Sequence, residues 1–308
     1  MYGLIIIGGG PAGVAAGVYA ARKKIKTLLI AESFGGQSLT SAEVQNWIGT
    51  KSVSGYDLAK MLEEHLKTQE DTEILEGVLA TKIEKTEKGF KVTTSDGKTF
   101  ETITILLTLG SNRRKLGVPG EKELDGKGVV YCSICDAPIF KGKTVAVVGG
   151  GNSALEGVID LIPYTTDIYI MTRSEFKGDP ITQEKIKSNP KVKILTVNKV
   201  NEILGVAEGK VTGLKYEDKD GKEQELKLDG VFVEIGSMPN SGIVQGLVEI
   251  NPQGEVVVDP KTQRSSLLGI WAAGDVSDVL YKQNNISAGD AVKAVLNIYD
   301  YLHKSNQM

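Results

Sequence analysis

Leu4-Ile5-Ile6-Ile7-Gly8-Gly9-Gly10-Pro11-Ala12-Gly13 runs from apolar residues straight into a glycine-rich turn. Its short apolar run is rich in β-branched residues and reads as a buried parallel strand. Glycines end that strand, and an Ala-rich amphipathic run continues as a helix to about Arg22. Thr27-Leu28-Leu29-Ile30 is the next strand, running out at Glu32. Strand, G-x-G-x-x-G turn, helix, strand and acid together make the βαβ unit that cradles a dinucleotide. Gly8 allows the tight turn, Gly10 lets a pyrophosphate approach the backbone, and Gly13 lets helix lie on strand. The helix start offers unpaired N–H groups and partial positive charge to the phosphates. Glu32 stands where an acid hydrogen-bonds an adenosine ribose.

The unit occurs again. Thr144–Val148 is strand-like, Gly149-Gly150-Gly151-Asn152-Ser153-Ala154 follows, and a helix runs to Leu161 or Ile162, stopped by Pro163. Asp167–Met171 is the strand after it, and Ala154 takes the third glycine's place. The recurrence predicts two dinucleotide-binding units in an α/β chain. A helix is expected over Ser54–Gln69, then β-like segments at 73–77, 82–87 and 90–94, and a buried strand at 102–107. Beyond the second unit, 192–195, 199–204, 211–217 and 224–228 read as strands, with 230–235 buried. Residues 255–258 read as extended, 269–275 as a strand running into a turn, and 286–303 as a final helix. Basic residues, glycine and Pro119 at 111–121 suit one domain crossing, and Gly236–Asn240 suits the crossing back.

Just past the first crossing lies Tyr131-Cys132-Ser133-Ile134-Cys135-Asp136, which holds both cysteines of the 308 residues. C-x-x-C spacing closes a small, reducible disulfide and favours a nucleophilic thiolate. Half of a zinc site is the competing reading, but zinc wants four ligands, and His65 and His303 are isolated. Two inert buried cysteines are the other alternative. Asp136, with Pro138 after it, suits the cap of a short helix. Hydrophobic residues make up 41% and charged residues 24%, which excludes disordered and collagen-like classes. The net charge of −3 argues against a nucleic-acid partner or an anionic membrane. No basic leader precedes an apolar stretch, and no run reaches the ~18 apolar residues of a membrane span. The cytoplasm is the expected location.

These motifs taken together resemble the low-molecular-weight thioredoxin reductases and the flavoprotein part of alkyl hydroperoxide reductases, over almost the whole chain. They are G-G-G-P-A-G at 8–13, G-G-Q at 35–37, C-S-I-C-D at 132–136, G-G-G-N-S-A at 149–154, A-A-G-D at 272–275 and K-Q at 282–283. The resemblance implies two Rossmann-like (three-layer ββα) domains, the second inserted in the first. An FAD domain would comprise 1–112 and 242–308, with a NAD(P)H domain carrying the dithiol at 113–241. It further implies that Gly8, Gly10, Ala12, Gly13, Glu32, Gly35, Gly36, Gln37, Asn46, Gly110, Gly274, Asp275, Lys282 and Gln283 hold FAD. Gly149, Gly151, Asn152, Ser153, Ala154, Glu156 and Arg173 would face NAD(P)H. Cys132, Cys135 and Asp136 would be catalytic, with Cys135 nearer the flavin and Asp136 as general acid or base. No metal is expected.

One departure bears on the electron donor. NADPH forms of the family carry H-R-R-x-x-x-R after the inserted domain's second strand, whereas this chain has Met171-Thr172-Arg173-Ser174-Glu175-Phe176-Lys177. A NAD site wants an acid at the strand end, and Thr172 is not one. The resemblance implies a homodimer that passes electrons to thioredoxin or a glutaredoxin-like protein, with the two crossings as hinges. Three alternatives stand beside it. They are a reductase driven by NADH or reduced ferredoxin, one feeding a peroxiredoxin, and a flavin redox sensor without turnover.

Overall fold

The computed structural model describes residues 1–41 and 43–304. The chain divides into two compact units, one of Met1–Asn112 with the chain from Met238 onward, the other Arg113–Ser237. The first unit opens with β1 (Tyr2–Gly9), α1 (Pro11–Arg22), β2 (Thr27–Phe34) and α2 (Gly55–Lys67), then β3 (Thr72–Glu76), β4 (Ala80–Thr86), β5 (Gly89–Thr94) and β6 (Thr99–Leu107). Crossing strand β7 (Ser111–Arg113) leads to β8 (Val129–Val130) and α3 (Ser133–Asp136). The second unit continues through β9 (Thr144–Val148), α4 (Asn152–Leu161), β10 (Asp167–Thr172) and α5 (Pro180–Lys187). Then come β11 (Val192–Leu204), β12 (Gly213–Asp218), β13 (Glu223–Lys227) and β14 (Gly230–Val233). The chain returns through β15 (Ser237–Pro239), which pairs with β7, and ends with β16 (Ile270–Ala272) and α6 (Asn284–Lys304).

The first unit's sheet has the order β3-β2-β1-β6-β5-β4, and β16 also pairs with β6. With β1 on one edge, β6 serves two partners on the other because it is long. Thr99–Thr102 run antiparallel to β5, and Ile105–Leu107 run parallel to β16. Period-2 alternation sends successive residues of β1 to opposite faces. Leu4 and Ile6 join a core with α1 and with Ala291, Ala294, Val295 and Ile298 of α6. Ile5 and Ile7 join Ile83, Phe90 and Val92 of the β4–β5 hairpin in another. The second unit repeats the plan with the order β13-β12-β11-β10-β9-β14-β8. Val145 and Val147 pack with Leu155 and Val158 of α4, while Ala146 and Val148 pack with Val197, Val200 and Leu214.

The sequence expectations need correction in several places. The strands expected at 192–195 and 199–204 are one 13-residue strand, β11. Its start runs parallel to β10 and its remainder antiparallel to β12, so the polar residues between the apolar runs do not end it. Residues 255–258, expected to be extended, form isolated bridges, Ile250↔Val256 and Val256↔Ser277, consistent with that expectation. Helix α5 was not expected; its start signal was Asp179-Pro180, with Asp179 Oδ2 accepting from Thr182 N at 2.8 Å. Residues 238–241, assigned from sequence to the inserted segment, pack with the first unit. Asn240 N donates to Gly110 O (3.0 Å) and its Nδ2 to Leu109 O (2.9 Å), which fixes them there.

Candidate redox and dinucleotide sites

Cys132 and Cys135 are joined as a disulfide with Cα atoms 5.3 Å apart. The turn that brings them together is α3. Asp136 N donates to Cys132 O at 3.0 Å, and Cys135 N donates to Cys132 Sγ at 3.3 Å. Cys132 is therefore the cap of this turn, not Asp136. Asp136 leads into the short 3-10 helix Ala137–Phe140, but its side chain caps nothing. The Asp136 carboxyl is buried instead, and burial pushes its pKa up to about 7, with Arg113 pulling the other way.

Three further charged residues surround the turn, and no motif marks them. Glu234, just past the end of β14, accepts from Ser133 N through Oε1 at 3.3 Å. Burial is the main reason its pKa also rises to about 7; Arg113 and the Ser133 N–H lower it, while Asp160 and Asp136 raise it. Asp160 Oδ2 accepts from Ser133 Oγ at 2.8 Å. Both α4 and the crossing strand thus bring charge to the dithiol. Gly157 of α4 faces this turn: a Cβ there would touch the Ser133 side chain at 3.4 Å and Glu234 Cγ at 3.7 Å.

The second glycine turn opens on a cleft of about 630 Å³ lined by Gly149, Gly151, Asn152, Ser153 and Arg173. Gly149 has φ +151°, and its missing Cβ leaves room for Glu234 O. A Cβ on Gly151 would meet nothing within 4 Å, so that edge of the turn is open. No side chain caps α4, which leaves its first-turn N–H groups for an anion. Ala154 is buried in the α4 core and outside the cleft lining, and exposed Glu156 is outside it too. Asn152 has a structural duty as well, since Oδ1 accepts from Asp179 N at 2.8 Å. Arg114, Lys115, Lys177 and Lys199 also line the cleft, with Glu175 and Glu234 as its acids. Lys115 pairs with Asp125 and Lys199 with Glu217, while Arg114, Arg173 and Lys177 have no acidic partner among the described residues. At the strand end Thr172 donates its hydroxyl to Ser174 O at 2.8 Å.

The first glycine turn is built for close approach. A Cβ on Gly8 would strike Thr108 O at 2.2 Å, and one on Gly13 would strike Gly8 O at 1.9 Å. A Cβ on Gly10 would meet only Gly36 Cα, at 3.9 Å, and no side chain caps α1. Gly35 and Gly36 both have positive φ, and Gly35 N donates to Gly9 O at 3.1 Å. Around this cradle Gln37 Nε2 donates to Asp275 Oδ2 (2.8 Å) and Ser111 Oγ (3.1 Å). Gly274, with φ +76°, lies against Ser287 and Ala12. Asn46 Nδ2 donates to Gln283 Oε1 at 3.3 Å. Gly110 has φ +64° and open space where a side chain would be. Exposed Glu32 lies on β2. Lys282 is engaged elsewhere, in an ion pair with Glu255 (2.9 Å) and a hydrogen bond to Ser277 O. Sequence reading missed Ser38, Asn284 and Asn285, which tie the start of α6 to the chain at Ser38 and Asn46; Asn284 Nδ2 donates to Ser38 Oγ and Asn285 Nδ2 to Asn46 O, both at 2.7 Å. Open backbone at Gly10 and Gly36 beside a polar rim fits a dinucleotide such as FAD, and the cationic cleft fits a nicotinamide nucleotide. Among the described residues no helix is long and apolar enough to cross a membrane, and no group of three or more His, Cys, Asp or Glu is placed to hold a metal ion.

Comparison with known proteins agrees with this geometry. The chain is 42% identical over 309 residues to the F subunit of alkyl hydroperoxide reductase from Pseudomonas putida, covering 99% of this chain and 59% of that protein. It thus spans somewhat over half the length of the curated relatives it matches. Thioredoxin reductase from Streptococcus pyogenes superposes with TM-score 0.91 at 32% identity, covering 99% of both chains. Thioredoxin reductase from Giardia duodenalis gives TM-score 0.91 at 31% identity, covering 98% of this chain and 99% of the other. The family model for pyridine nucleotide-disulphide oxidoreductases matches residues 2–293, and with a disulfide beside one glycine-turn cleft and a second glycine cradle in the other unit, the chain belongs to that family.

Proposed function

We propose that the chain is a flavoprotein disulfide reductase that takes electrons from NAD(P)H and delivers them to a disulfide of a partner protein. The observation that carries the reading is the Cys132–Cys135 disulfide, in the same unit as the nucleotide-sized cleft and followed by a buried Asp136. Gly10, Gly36, Gln37 and Asp275 would hold FAD, and Gly149, Gly151, Ser153 and Arg173 the nicotinamide nucleotide. Together, when bound, these cofactors supply two-electron transfer to a disulfide. The Cys132–Cys135 bond opens by taking two electrons and two protons. Asp136 donates and recovers a proton at the thiols, a role for which a pKa of about 7 suits neutral pH. The Cys132 thiolate attacks the partner's disulfide, and Cys135 resolves the mixed disulfide, releasing the partner reduced. β7 and β15, the two crossings, would serve as the hinges for movement of one unit against the other.

Three cleft cations without acidic partners among the described residues, Arg114, Arg173 and Lys177, support NADPH over NADH. The relatives' names support a thioredoxin-like or a peroxiredoxin-linked partner. Stopped-flow bleaching of the flavin-loaded chain by each nucleotide tests the donor, and NADPH is expected to be faster. No bleaching by either at millimolar levels would remove the nucleotide route. Cys135→Ser is expected to keep FAD binding and abolish disulfide reduction. Full turnover by that variant would end the assignment.

A further inference from the structure

Glu234 is a buried carboxyl that the scheme above leaves without a task. It sits between the chain's two chemical features in the second unit, lining the nucleotide cleft while accepting the N–H of Ser133, between the two cysteines. The groups that face it come from three elements: Arg113 at the end of β7, Asp136 on α3 and Asp160 on α4. On its open side the cleft adds Arg114, Lys115, Arg173, Lys177 and Lys199, with Glu175 as a further acid. Around the dithiol turn itself Arg113 acts on both Asp136 and Glu234, and Asp160 adds a third carboxyl through Ser133 Oγ. Reducing the disulfide adds a second demand. A thiolate at Cys132 would place another negative charge in a buried neighbourhood already rich in acids.

We propose that Glu234 is a positioning residue for the dithiol: it holds the turn through the Ser133 amide, and its charge sets how readily the reduced cysteine pair ionises. An ionised Glu234 opposes a thiolate, whereas a protonated one does not. Its pKa of about 7 means that the opposition switches on across neutral pH. Thiolate formation and protonation of Glu234 are then coupled, and the two groups titrate as a pair. Reduction of the disulfide draws a proton to Glu234 as well as to sulfur. This inference rests on the dithiol being the working redox centre, but its test uses neither nucleotide nor partner.

The test is the pH profile of iodoacetamide alkylation of the flavin-loaded chain after chemical reduction with dithiothreitol, read by mass spectrometry. Glu234→Gln keeps an acceptor for Ser133 N and removes the charge. Its alkylation midpoint is expected about one pH unit below that of the unaltered chain. Glu234→Ala should shift as far, and Glu234→Asp should return toward the original midpoint. A midpoint unmoved in Glu234→Gln, or moved upward, would overturn the proposal. A readout on the unaltered chain does not depend on variants folding. Its redox-difference infrared spectrum is expected to gain protonated-carboxyl bands from two residues on reduction. A single band, lost in Asp136→Asn, would overturn the proposal too.

Discussion

Asp136 and Glu234 owe their proton affinity to burial, so they tie stability to pH in a direction opposite to that of ordinary paired carboxylates. Each has a folded pKa of about 7, above ordinary values of 3.8 and 4.5. The folded chain therefore binds these protons more tightly than the unfolded chain. Their contribution is most favourable below the unfolded values, declines as pH rises from about 4, and is lost above about 7. Asp136→Asn and Glu234→Gln remove that penalty. Each variant is expected to be more stable than the unaltered chain at pH 8, by on the order of 2–4 kcal/mol, and equal to it near pH 4. Denaturant unfolding at the two pH values measures this; the same difference at both would rule burial out as the cause. Surface acids such as Asp96, held down to about 2 by Thr94 and Lys98, contribute equally to both proteins and cancel. At this scale the sequence was legible where chemistry sits next to a motif. Asp136 follows C-x-x-C, so its place beside the cysteines was readable, but its burial was not. Glu234 lies inside Val231-Phe232-Val233-Glu234-Ile235, an apolar run with no motif, and reaches Ser133 only through space. Arg113 was read as part of a crossing because its electrostatic partners lie 23 and 121 positions ahead in the chain.

The glycine turns show how an element divides folding from binding. Gly13 is needed by the fold, because a Cβ there would strike the Gly8 carbonyl at 1.9 Å. Gly10 is not, because its φ of −73° suits any L-residue and its Cβ would meet only Gly36 Cα at 3.9 Å. Gly13→Ala is thus expected to destabilise the chain by several kcal/mol, as overpacking does. Gly10→Ala should leave unfolding of the flavin-free chain within about 0.5 kcal/mol of the original and weaken FAD binding at least about tenfold. Thermal unfolding and titration of flavin fluorescence separate the two effects. Unweakened FAD binding by Gly10→Ala would place the cradle elsewhere. Elements with strong local signals were read closely: the helix expected to end near Arg22 is Pro11–Arg22, and 144–148 is a strand end to end. Elements fixed by distant partners were not. The run at 192–204 is continuous because β10 and then β12 supply its hydrogen bonds. Helix α5 spans only eight residues, with Ile186 its one buried side chain, too short for a helical period to stand out.

At the scale of the molecule, the four hydrophobic cores decide how the chain should melt. Two draw only on residues of the first unit and two only on residues 113–237. The first unit's cores join its separated segments: Leu4 and Leu29 from the start of the chain pack with Val295 and Ile298 of α6. The internal repeat made this organisation readable from sequence, but the return crossing was placed four residues late. Met238–Ser241 share the turn-rich composition of Gly236-Ser237, and only their bonds to Leu109 and Gly110 assign them. Since no core is shared among the described residues, each unit carries its own apolar stabilisation, and each proposed ligand belongs to one unit alone. Calorimetry of the flavin-free chain is expected to resolve two transitions rather than one. FAD at about 100 times its Kd should raise one of them by about 2.7 kcal/mol and leave the other in place. NADPH added without flavin should raise the other alone. A single transition that both ligands raise would mean that the units unfold as one, so that coupling between them, and not the cores within them, governs the stability of this chain.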